Sequence, residues 1–478
     1  MGRNENGRNA TGTLAPESKK CGQESKQCGS HRDLTIYDFG KIIDRQGTLA
    51  CKTDQMPKGC PPDSVSAWIA DMDFACPQPV TSALHERVNH GIFGYTVFES
   101  KPYLDAVTGW FARRFGWNID PAHIVFSPGV VPAISVLVQA LTEPGDGIVI
   151  QKPVYYPFMS AIQANGRKVV NNPLVRRNRD CEDSQCFDYV MDYAGLEQAL
   201  ADDSVRGMIL CSPHNPAGRV WTRRELQQVL EICQRHGKWI ICDEIHCDLT
   251  RTGTIHTPLL KLAEELCPDF CEKIITCTAP TKTFNLAGLS ISNIIIPGRE
   301  FRQKWEKTAV DQLDLFMGNP LSMTAAMAAY DDGENWLDQL RSYLDGNIAF
   351  IRQFVRDHMP EAAVADCQGT YLVWIDLRAY CNQQLAGSGQ AADRKSEGEQ
   401  TSDGKPQGGQ TGAGQPDYRK LKQAMQQVGH LALDEGYIFG EEGQGYERIN
   451  VAMPRSLVEE AMKRMEKAVR WLEEEHEG

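Results

Sequence analysis

Four residues in this sequence have side chains that could take part in imine chemistry. Lys282 lies in TAPTKTFNLAGLS, among small, hydroxylated and apolar residues. Such a lysine is either a surface residue whose stem crosses apolar neighbours or a desolvated amine, with a lowered pKa suited to Schiff-base formation. An amide, Asn215, a carboxylate, Asp243, and an aromatic ring, Tyr155, precede it in the chain. Their chemistry depends on whether the fold brings them together.

Short apolar runs alternate with amphipathic helices through the middle of the chain. The runs are GIVIQ (147–151), MILCS (208–212), KWIICDE (238–244), KIITCT (273–278) and NIIIP (293–297). This alternation predicts an α/β fold with a largely parallel sheet wrapped by helices. Before KWIICDE, Thr222 and Glu225 predict a capping box at the start of one such helix.

Ligands gather at the carboxyl ends of parallel strands, and the loops after four of these runs carry the residues of interest. Each loop alone is a weak signal. DEIH, which contains Asp243 and His246, also suits the DExH box of a nucleotide-driven motor, but the sequence has no GxxxxGK[ST] loop to hold a phosphate. Together, an amide, a carboxylate and a lysine on successive strand ends supply what pyridoxal phosphate needs.

In that arrangement each residue has a definite task. Lys282 forms the Schiff base, and Asp243 keeps the pyridine nitrogen protonated so that the ring accepts electrons from the substrate Cα. Asn215 donates to the phenolic oxygen, while Tyr155 covers the ring face. The phosphate meets SPGVVPAISVLVQAL, where a glycine-containing turn opens a helix whose free N–H groups favour an anion.

Six motifs occur in an order that resembles the fold-type-I pyridoxal-phosphate enzymes of the class I/II aminotransferase superfamily. They are SPGVVPAI, KPVYYPF, SPHNPAGRVW, DEIHCDL, APTKTFNLAG and ERINVAMPRS. The resemblance runs from about Leu34 to Trp471. Two further motifs, WIADMDF (68–74) and HGIFGYT (90–96), resemble more closely the MalY/PatB-type cystathionine β-lyases. The resemblance implies a large domain, with a mainly parallel seven-stranded sheet wrapped by helices, and a smaller α+β domain.

The resemblance also implies residue roles. It repeats those of Lys282, Asp243, Asn215 and Tyr155, and it adds Arg448 as the group that binds the substrate α-carboxylate. A surface salt bridge is the alternative for Arg448. Tyr95 would reach the phosphate of the neighbouring subunit, which implies a homodimer with shared active sites.

Two positions depart from the aminotransferase pattern. Many aminotransferases have an arginine eight residues after the lysine, where this chain has Ser290, and a tyrosine three residues after the aspartate, where it has His246. Both changes match the lyase subgroup. The cofactor contacts are therefore assigned to His246 and, for the phosphate, to the four residues Val130, Val131, Thr281 and Tyr95.

The reaction that this resemblance implies is β-elimination from cystathionine or a related cysteine S-conjugate. Lys282 removes the Cα proton, the thiolate leaves, and the products are a thiol, pyruvate and ammonia. Either Lys282 or Tyr155 protonates the departing sulfur. An aminotransferase on the same scaffold and a pyridoxal-phosphate-binding regulatory protein of the MalY kind are the alternatives.

Composition restricts the partners. The chain has 478 residues, a net charge of −13 and no long basic run, which argues against nucleic acid and favours a small amino-acid substrate. The sequence shows no apolar stretch that would suit a membrane span or the core of a signal peptide, so we expect a cytoplasmic protein. The sixteen cysteines should then be reduced. They lack the paired spacing of a zinc site, and no metal is expected.

The predicted domain organisation has four parts. Residues 1–32 form a polar, disordered tail, and residues 33–78 join the small domain. Residues 79–331 form the large pyridoxal-phosphate-binding domain, and residues 332–478 form the small C-terminal domain. Within the latter, residues 383–417 are rich in Gly, Gln, Ser and Asp and are expected to be a disordered surface insertion.

Deleting residues 383–417 is expected to leave the fold intact, because the segment has almost no large apolar residues to contribute to a core. Cofactor binding by the shortened protein is the measurement that checks this. A shortened protein that fails to bind the cofactor would show that the segment is part of the fold.

Overall fold

The computed structural model describes residues 35–179, 185–381 and 418–477, with side chains described up to residue 474. The predicted tail at residues 1–32 and the predicted insertion at 383–417 lie outside the described residues. Among the described helices, none is long and apolar enough to cross a membrane.

The larger sheet has seven strands. In spatial order they are Ile124–Ser127, Ser292–Ile295, Ile274–Thr278, Trp239–Asp243, Val205–Cys211, Gly147–Ile150 and Lys168–Asn171. Ser292–Ile295 is antiparallel to both of its neighbours, and all the other pairs are parallel. The predicted α/β fold with a mainly parallel seven-stranded sheet is therefore confirmed. Its central strands are almost entirely buried and mostly apolar, as expected for a parallel sheet with helices on both faces.

Helices connect and cover these strands. The α-helices are Cys51–Asp54, Gln78–His90, Lys101–Phe115, Val130–Leu141, Pro157–Ala164, Tyr193–Ala201, Arg223–Arg235, Leu259–Leu266, Pro280–Thr283, Arg299–Trp305, Pro320–Asp332, Glu334–His358, Arg378–Cys381, Tyr418–Gln423 and Arg455–Glu477. The predicted capping box is present, since the Thr222 side chain accepts from the Glu225 N–H and the Glu225 side chain accepts from the Thr222 N–H. It fixes the start of the helix that leads into the strand ending at Asp243.

A second sheet has six strands. In spatial order they are Asp434–Glu435, Tyr446–Asn450, Leu372–Asp376, Ala363–Ala365, Cys186–Val190 and Val175–Asn178. The last two come from the middle of the chain, so the chain passes from the first sheet to the second and back. A short pair, Val65–Ser66 with Leu431–Ala432, joins the N-terminal segment to the C-terminal part. The domain boundaries at residues 78 and 331 remain a prediction.

Gly207 allows the strand that leads towards Asn215 to pack closely on the strand that ends in Asp243. It pairs with Trp239, and a Cβ atom at this position would overlap the Trp239 ring and its carbonyl oxygen. We expect Gly207→Ala to lower the free energy of unfolding by about 1–3 kcal/mol, because the sheet must shift to accept the methyl group. Urea unfolding measures this.

Gly288→Ala is the matched control, because an added Cβ atom at this exposed position meets no atom within 4 Å. We expect its free energy of unfolding to stay within about 0.5 kcal/mol of the original. Equal stability of the two variants would contradict the proposed crowding at Gly207.

Candidate active site

The predicted residues follow four adjacent strands at one edge of the large sheet. Lys282, Asp243, Asn215 and Tyr155 come after, or at the end of, Ile274–Thr278, Trp239–Asp243, Val205–Cys211 and Gly147–Ile150 respectively. The register places Asp243 opposite both Cys211 and Cys277, so these strands end at one level. Parallel pairing therefore brings the loops together, as the sequence predicted.

Lys282 is a partly buried amine in the helical turn Pro280–Thr283. Its Nζ donates to the carbonyl oxygen of Ala70 over 2.5 Å. The hydroxyl of Tyr371 donates to the same oxygen over 2.9 Å. Burial and the positive charge of Arg448 lower the pKa of Lys282 to about 8, against the opposing effect of two carboxylates. These observations favour the desolvated amine over the surface lysine.

Asp243 is a buried carboxylate, with 3% of its surface exposed. Its Oδ1 accepts from the Ile245 N–H over 3.1 Å, and no cationic side chain in the described part of the chain donates to it. Burial therefore raises its pKa to about 7, although the Ile245 N–H and the Lys282 charge oppose the shift. A protonated ring nitrogen placed here would stabilise the ionised carboxylate, so the residue fits a pyridinium group.

Arg448 comes from the six-stranded sheet and is 3% exposed, which excludes the surface salt bridge. Its Nη1 donates to Asn215 Oδ1 over 2.9 Å, and its Nη2 donates to the Trp68 carbonyl oxygen over 3.1 Å. Nη2 also forms an ion pair with Asp434. The guanidinium carbon lies 4.9 Å from the centroid of the Phe439 ring. Arg448 therefore links the two sheets at the site.

Two aromatic side chains complete the group around the lysine. His246 is buried, and burial together with the charge of Lys282 lowers its pKa to about 3, so the ring is neutral at physiological pH. Its Nδ1 has no hydrogen-bond partner among the described residues. Tyr155 donates its backbone N–H to the Asn215 carbonyl oxygen over 3.0 Å. Burial raises the pKa of Tyr155, so its phenol stays protonated.

The residues assigned to the phosphate are divided between two places. Val130 and Val131 open the helix Val130–Leu141, where no side chain caps the first turn. Their N–H groups lack acceptors within the helix, as the first N–H groups of any helix do. Thr281 is buried in the same turn as Lys282. The geometry suits an anion, and the phosphate contacts remain a prediction.

Tyr95 is not brought to the site within a single chain. Its side chain is 94% exposed, and it lies between the helices Gln78–His90 and Lys101–Phe115. Ile92, Phe93 and Val97 beside it are also largely exposed. The predicted contact with the phosphate of a neighbouring subunit therefore stays a prediction.

The motif WIADMDF forms one wall of the site and is held by partly buried ion pairs. Arg45 makes two hydrogen bonds to Asp71, of 2.9 and 2.8 Å. The fully buried Lys52 lies 2.8 Å from Asp73 Oδ2. The Asn450 side chain donates to the backbone carbonyl oxygens of Ile69 and Asp71. These contacts fix the backbone that offers its carbonyl groups to Lys282 and Arg448.

Sequence reasoning missed Tyr371, Asp434 and the carbonyl group of Ala70. WIADMDF was a signal for the segment, though not for a backbone acceptor within it. Nothing in the spacing pointed to Tyr371 or Asp434, because Tyr371 contacts the carbonyl group of Ala70, 301 residues away, and Asp434 reaches Arg448 only through strand pairing. Among the described residues, no group of three or more His, Cys, Asp or Glu side chains could hold a metal ion.

Comparisons with known proteins agree with this geometry. The family model described as aminotransferase class I and II matches residues 69–465. The chain is 37% identical to cystathionine beta-lyase PatB of Bacillus subtilis (strain 168), over 90% of this chain and 100% of that protein. It is 31% identical to protein MalY of Escherichia coli (strain K12), over 91% of this chain and 99% of that protein. A crystal structure of cystalysin from Treponema denticola superposes on this chain with a TM-score of 0.78 at 32% identity. The match covers 92% of this chain and 100% of that one, and the cystalysin structure contains a pyridoxal 5'-phosphate cofactor.

Asp243 should make the stability of the cofactor-free protein depend on pH. Its folded pKa of about 7 lies above the ordinary value of 3.8, so the folded state keeps a proton that the unfolded state releases between these values. The free energy of unfolding therefore falls as the pH rises through this window. Asp243→Asn removes the effect, so its stability relative to the original protein should rise by up to about 4 kcal/mol from pH 4 to pH 7.

Chemical unfolding of both proteins at several pH values measures this difference. Asp311→Asn makes the same charge change at an exposed position and is the control for the loss of one negative charge. A pH-independent difference for Asp243→Asn would show that this carboxyl group has the same pKa in the folded and the unfolded protein, which would contradict the raised value.

Proposed function

This chain belongs to the aminotransferase class I and II family, and within that family we propose that it is a pyridoxal-phosphate-dependent carbon–sulfur β-lyase. Its substrates are cystathionine or related cysteine S-conjugates, and its products are a thiol, pyruvate and ammonia. PatB supports this proposal through its name and its identity of 37% over nearly the whole chain.

The observation that carries the proposal is the partly buried amine of Lys282, which is placed near both a buried carboxylate and a buried arginine. Its pKa of about 8 leaves a useful fraction of the amine unprotonated near neutral pH. A neutral amine is the form that bonds to a carbonyl carbon and the form that removes a proton. Lys282 is therefore suited to both tasks.

The residues present fit pyridoxal phosphate. When bound, the cofactor supplies an electron sink for the pair of electrons released at the substrate Cα. Asp243 would hold the ring nitrogen in its protonated form, and Asn215 would donate to the phenolic oxygen. The neutral ring of His246 would pack near the cofactor without adding a charge. The N–H groups of Val130 and Val131, with Thr281, would bind the phosphate.

The protein side chains bind the substrate and move the protons. Arg448 holds the α-carboxylate, which fixes the orientation of the Cα–H bond. Lys282 Nζ then removes the Cα proton. The departing sulfur needs a proton from Lys282 or from Tyr155, both of which can be protonated at this stage. The raised pKa of Tyr155 keeps its proton available at neutral pH.

The lyase reaction is tested by incubating the purified, cofactor-loaded protein with cystathionine and measuring pyruvate, free thiol and ammonia. We expect all three from the original protein, and a loss of at least about 10²–10⁴-fold for Lys282→Ala because the base is removed. Lys304→Ala is the control, since this lysine forms an ion pair with Glu300 on the same helix and should keep full activity.

Reduction with borohydride tests the role of Lys282 without relying on turnover. The cofactor should become fixed to the peptide that contains Lys282, and mass spectrometry of that peptide detects it. A label on any other lysine would contradict the assignment.

Other products would identify the alternatives. A protein that passes its amino group to a 2-oxo acid without releasing thiol is an aminotransferase. A protein that lacks both activities, and that captures the same transcription factor with or without the Lys282→Ala change, is a regulatory protein.

We propose that the protein is a homodimer in which Tyr95 reaches the phosphate in the partner's site. The exposed apolar side chains of Ile92, Phe93 and Val97 support this, because exposed apolar side chains grouped on one segment are typical of an interface. We also propose that the protein is located in the cytoplasm. The cysteines among the described residues are all free thiols, as is usual in a reducing compartment.

A mixed dimer tests whether Tyr95 acts across the interface. Tyr95→Phe in both subunits should weaken cofactor binding by roughly 10–100-fold, the usual effect of losing a hydrogen bond to a charged group. A dimer of one Tyr95→Phe subunit and one Lys282→Ala subunit would have one intact site if the residue acts across the interface. That site should bind cofactor as tightly as the original protein. Weakened binding in the mixed dimer would place Tyr95 in its own subunit's site.

A further inference from the structure

The ion pair between Asp434 and Arg448 has no part in the proposed reaction. We propose that Asp434 is a built-in competitor at the carboxylate subsite: it occupies Arg448 when no ligand is bound, and a ligand carboxylate replaces it while Asp434 takes up a proton. The inference rests on the proposed role of Arg448 in binding the substrate carboxylate.

The guanidinium group of Arg448 has few donors left for a ligand. Nη2 carries two hydrogens. It donates one to the Trp68 carbonyl oxygen and the other to Asp434. Nη1 donates one of its two hydrogens to Asn215. Nε is buried and has no partner among the described residues. The free donors are therefore one hydrogen on Nη1 and one on Nε.

These two free donors cannot bind one carboxylate together. A guanidinium group binds a carboxylate bidentately through Nη1 with Nη2, or through Nε with Nη2. Nη2 belongs to both edges, so a bidentate ligand must replace one of its two acceptors. The Trp68 carbonyl group is backbone, in a segment held by the hydrogen bond of the Trp68 ring to the Lys52 carbonyl oxygen. Asp434 is the side chain that can give way.

Displaced from Arg448, Asp434 is left without a cationic partner. It is 8% exposed, and the groups that act on it besides Arg448 are acidic: Glu435 on its own strand, Glu447 on the paired strand, and the phenols of Tyr155 and Tyr156. The nearby cation Lys422 is paired with Glu435. Arg448 is the cation that faces it from the paired strand. Burial already raises the pKa of Asp434 against the effect of Arg448.

The exchange balances in charge. One ligand carboxylate and one proton enter, and the Asp434 carboxylate becomes a carboxylic acid. The site keeps the single negative charge that it had beside Arg448, and no covalent bond to carbon changes. Without the proton, two buried carboxylates would share one guanidinium group, which is costly in a buried site.

The probe is 3-(methylthio)propanoate, which has a carboxylate and a thioether but no amine and no β-elimination chemistry. Its dissociation constant and its proton uptake, followed with a pH indicator in weak buffer, are measured on the cofactor-loaded protein near neutral pH. We expect the original protein to take up about one more proton per bound ligand than Asp434→Asn. The variant should bind the probe about tenfold more tightly, because the competing carboxylate is gone.

Glu435→Gln is the matched control. It makes the same charge change one residue away, where the carboxylate pairs with Lys422 and Gln426. It keeps the competing Asp434 carboxylate, so its dissociation constant should not fall as in Asp434→Asn, and it should still take up more protons per bound ligand than Asp434→Asn. The cofactor absorbance of each variant shows that its site is still formed.

Three results would overturn the inference: an unchanged dissociation constant in Asp434→Asn, weaker binding in that variant, or equal proton uptake by the original protein and the variant. Weaker binding would mean that Asp434 orients Arg448. None of these measurements depends on carbon–sulfur cleavage, so a protein that releases no thiol from cystathionine can still give the expected binding results.

Discussion

Parallel pairing of neighbouring strands is the constraint on which the site depends. Trp239–Asp243 lies between Val205–Cys211 and Ile274–Thr278, and Asp243 is level with the last residue of one neighbour and with Cys277 in the other. A shift of one residue in either register would turn the Asp243 side chain to the opposite face of the sheet. The amine, the carboxylate and the amide meet because three buried strands end together.

The charged side chains of the site also depend on one another. Lys282 and Arg448 are two cations near one another in a buried site, and the arginine lowers the pKa of the lysine. Asp71 and Asp243 offset this effect in part, while Asp434 compensates the charge of Arg448. The pKa of the amine is therefore lowered only to about 8. The arginine that we propose as the substrate-carboxylate ligand thus also lowers the pKa of the lysine that we propose as the base.

The sheet and the four strand-end residues could be predicted from the sequence because their signals are local. Apolar runs, a capping box and a polar residue just after each run fall within a few residues of one another. Arg448 was predicted from the resemblance of ERINVAMPRS, not from local physics. Tyr371 and Asp434 were missed because their partners at the site, Ala70 and Arg448, lie 301 and 14 residues away, and no short pattern records such a contact.

The carbonyl group of Ala70 has a consequence for how the site tolerates mutation. It accepts from both Lys282 and Tyr371, and a backbone acceptor is present whatever side chain occupies position 70. The position of the Lys282 amine is therefore expected to tolerate substitution of residue 70. The groups that set its acidity are side chains, and each can be lost in a single step. Genetic drift in such a protein would alter how readily the amine gives up its proton before it altered where the amine lies.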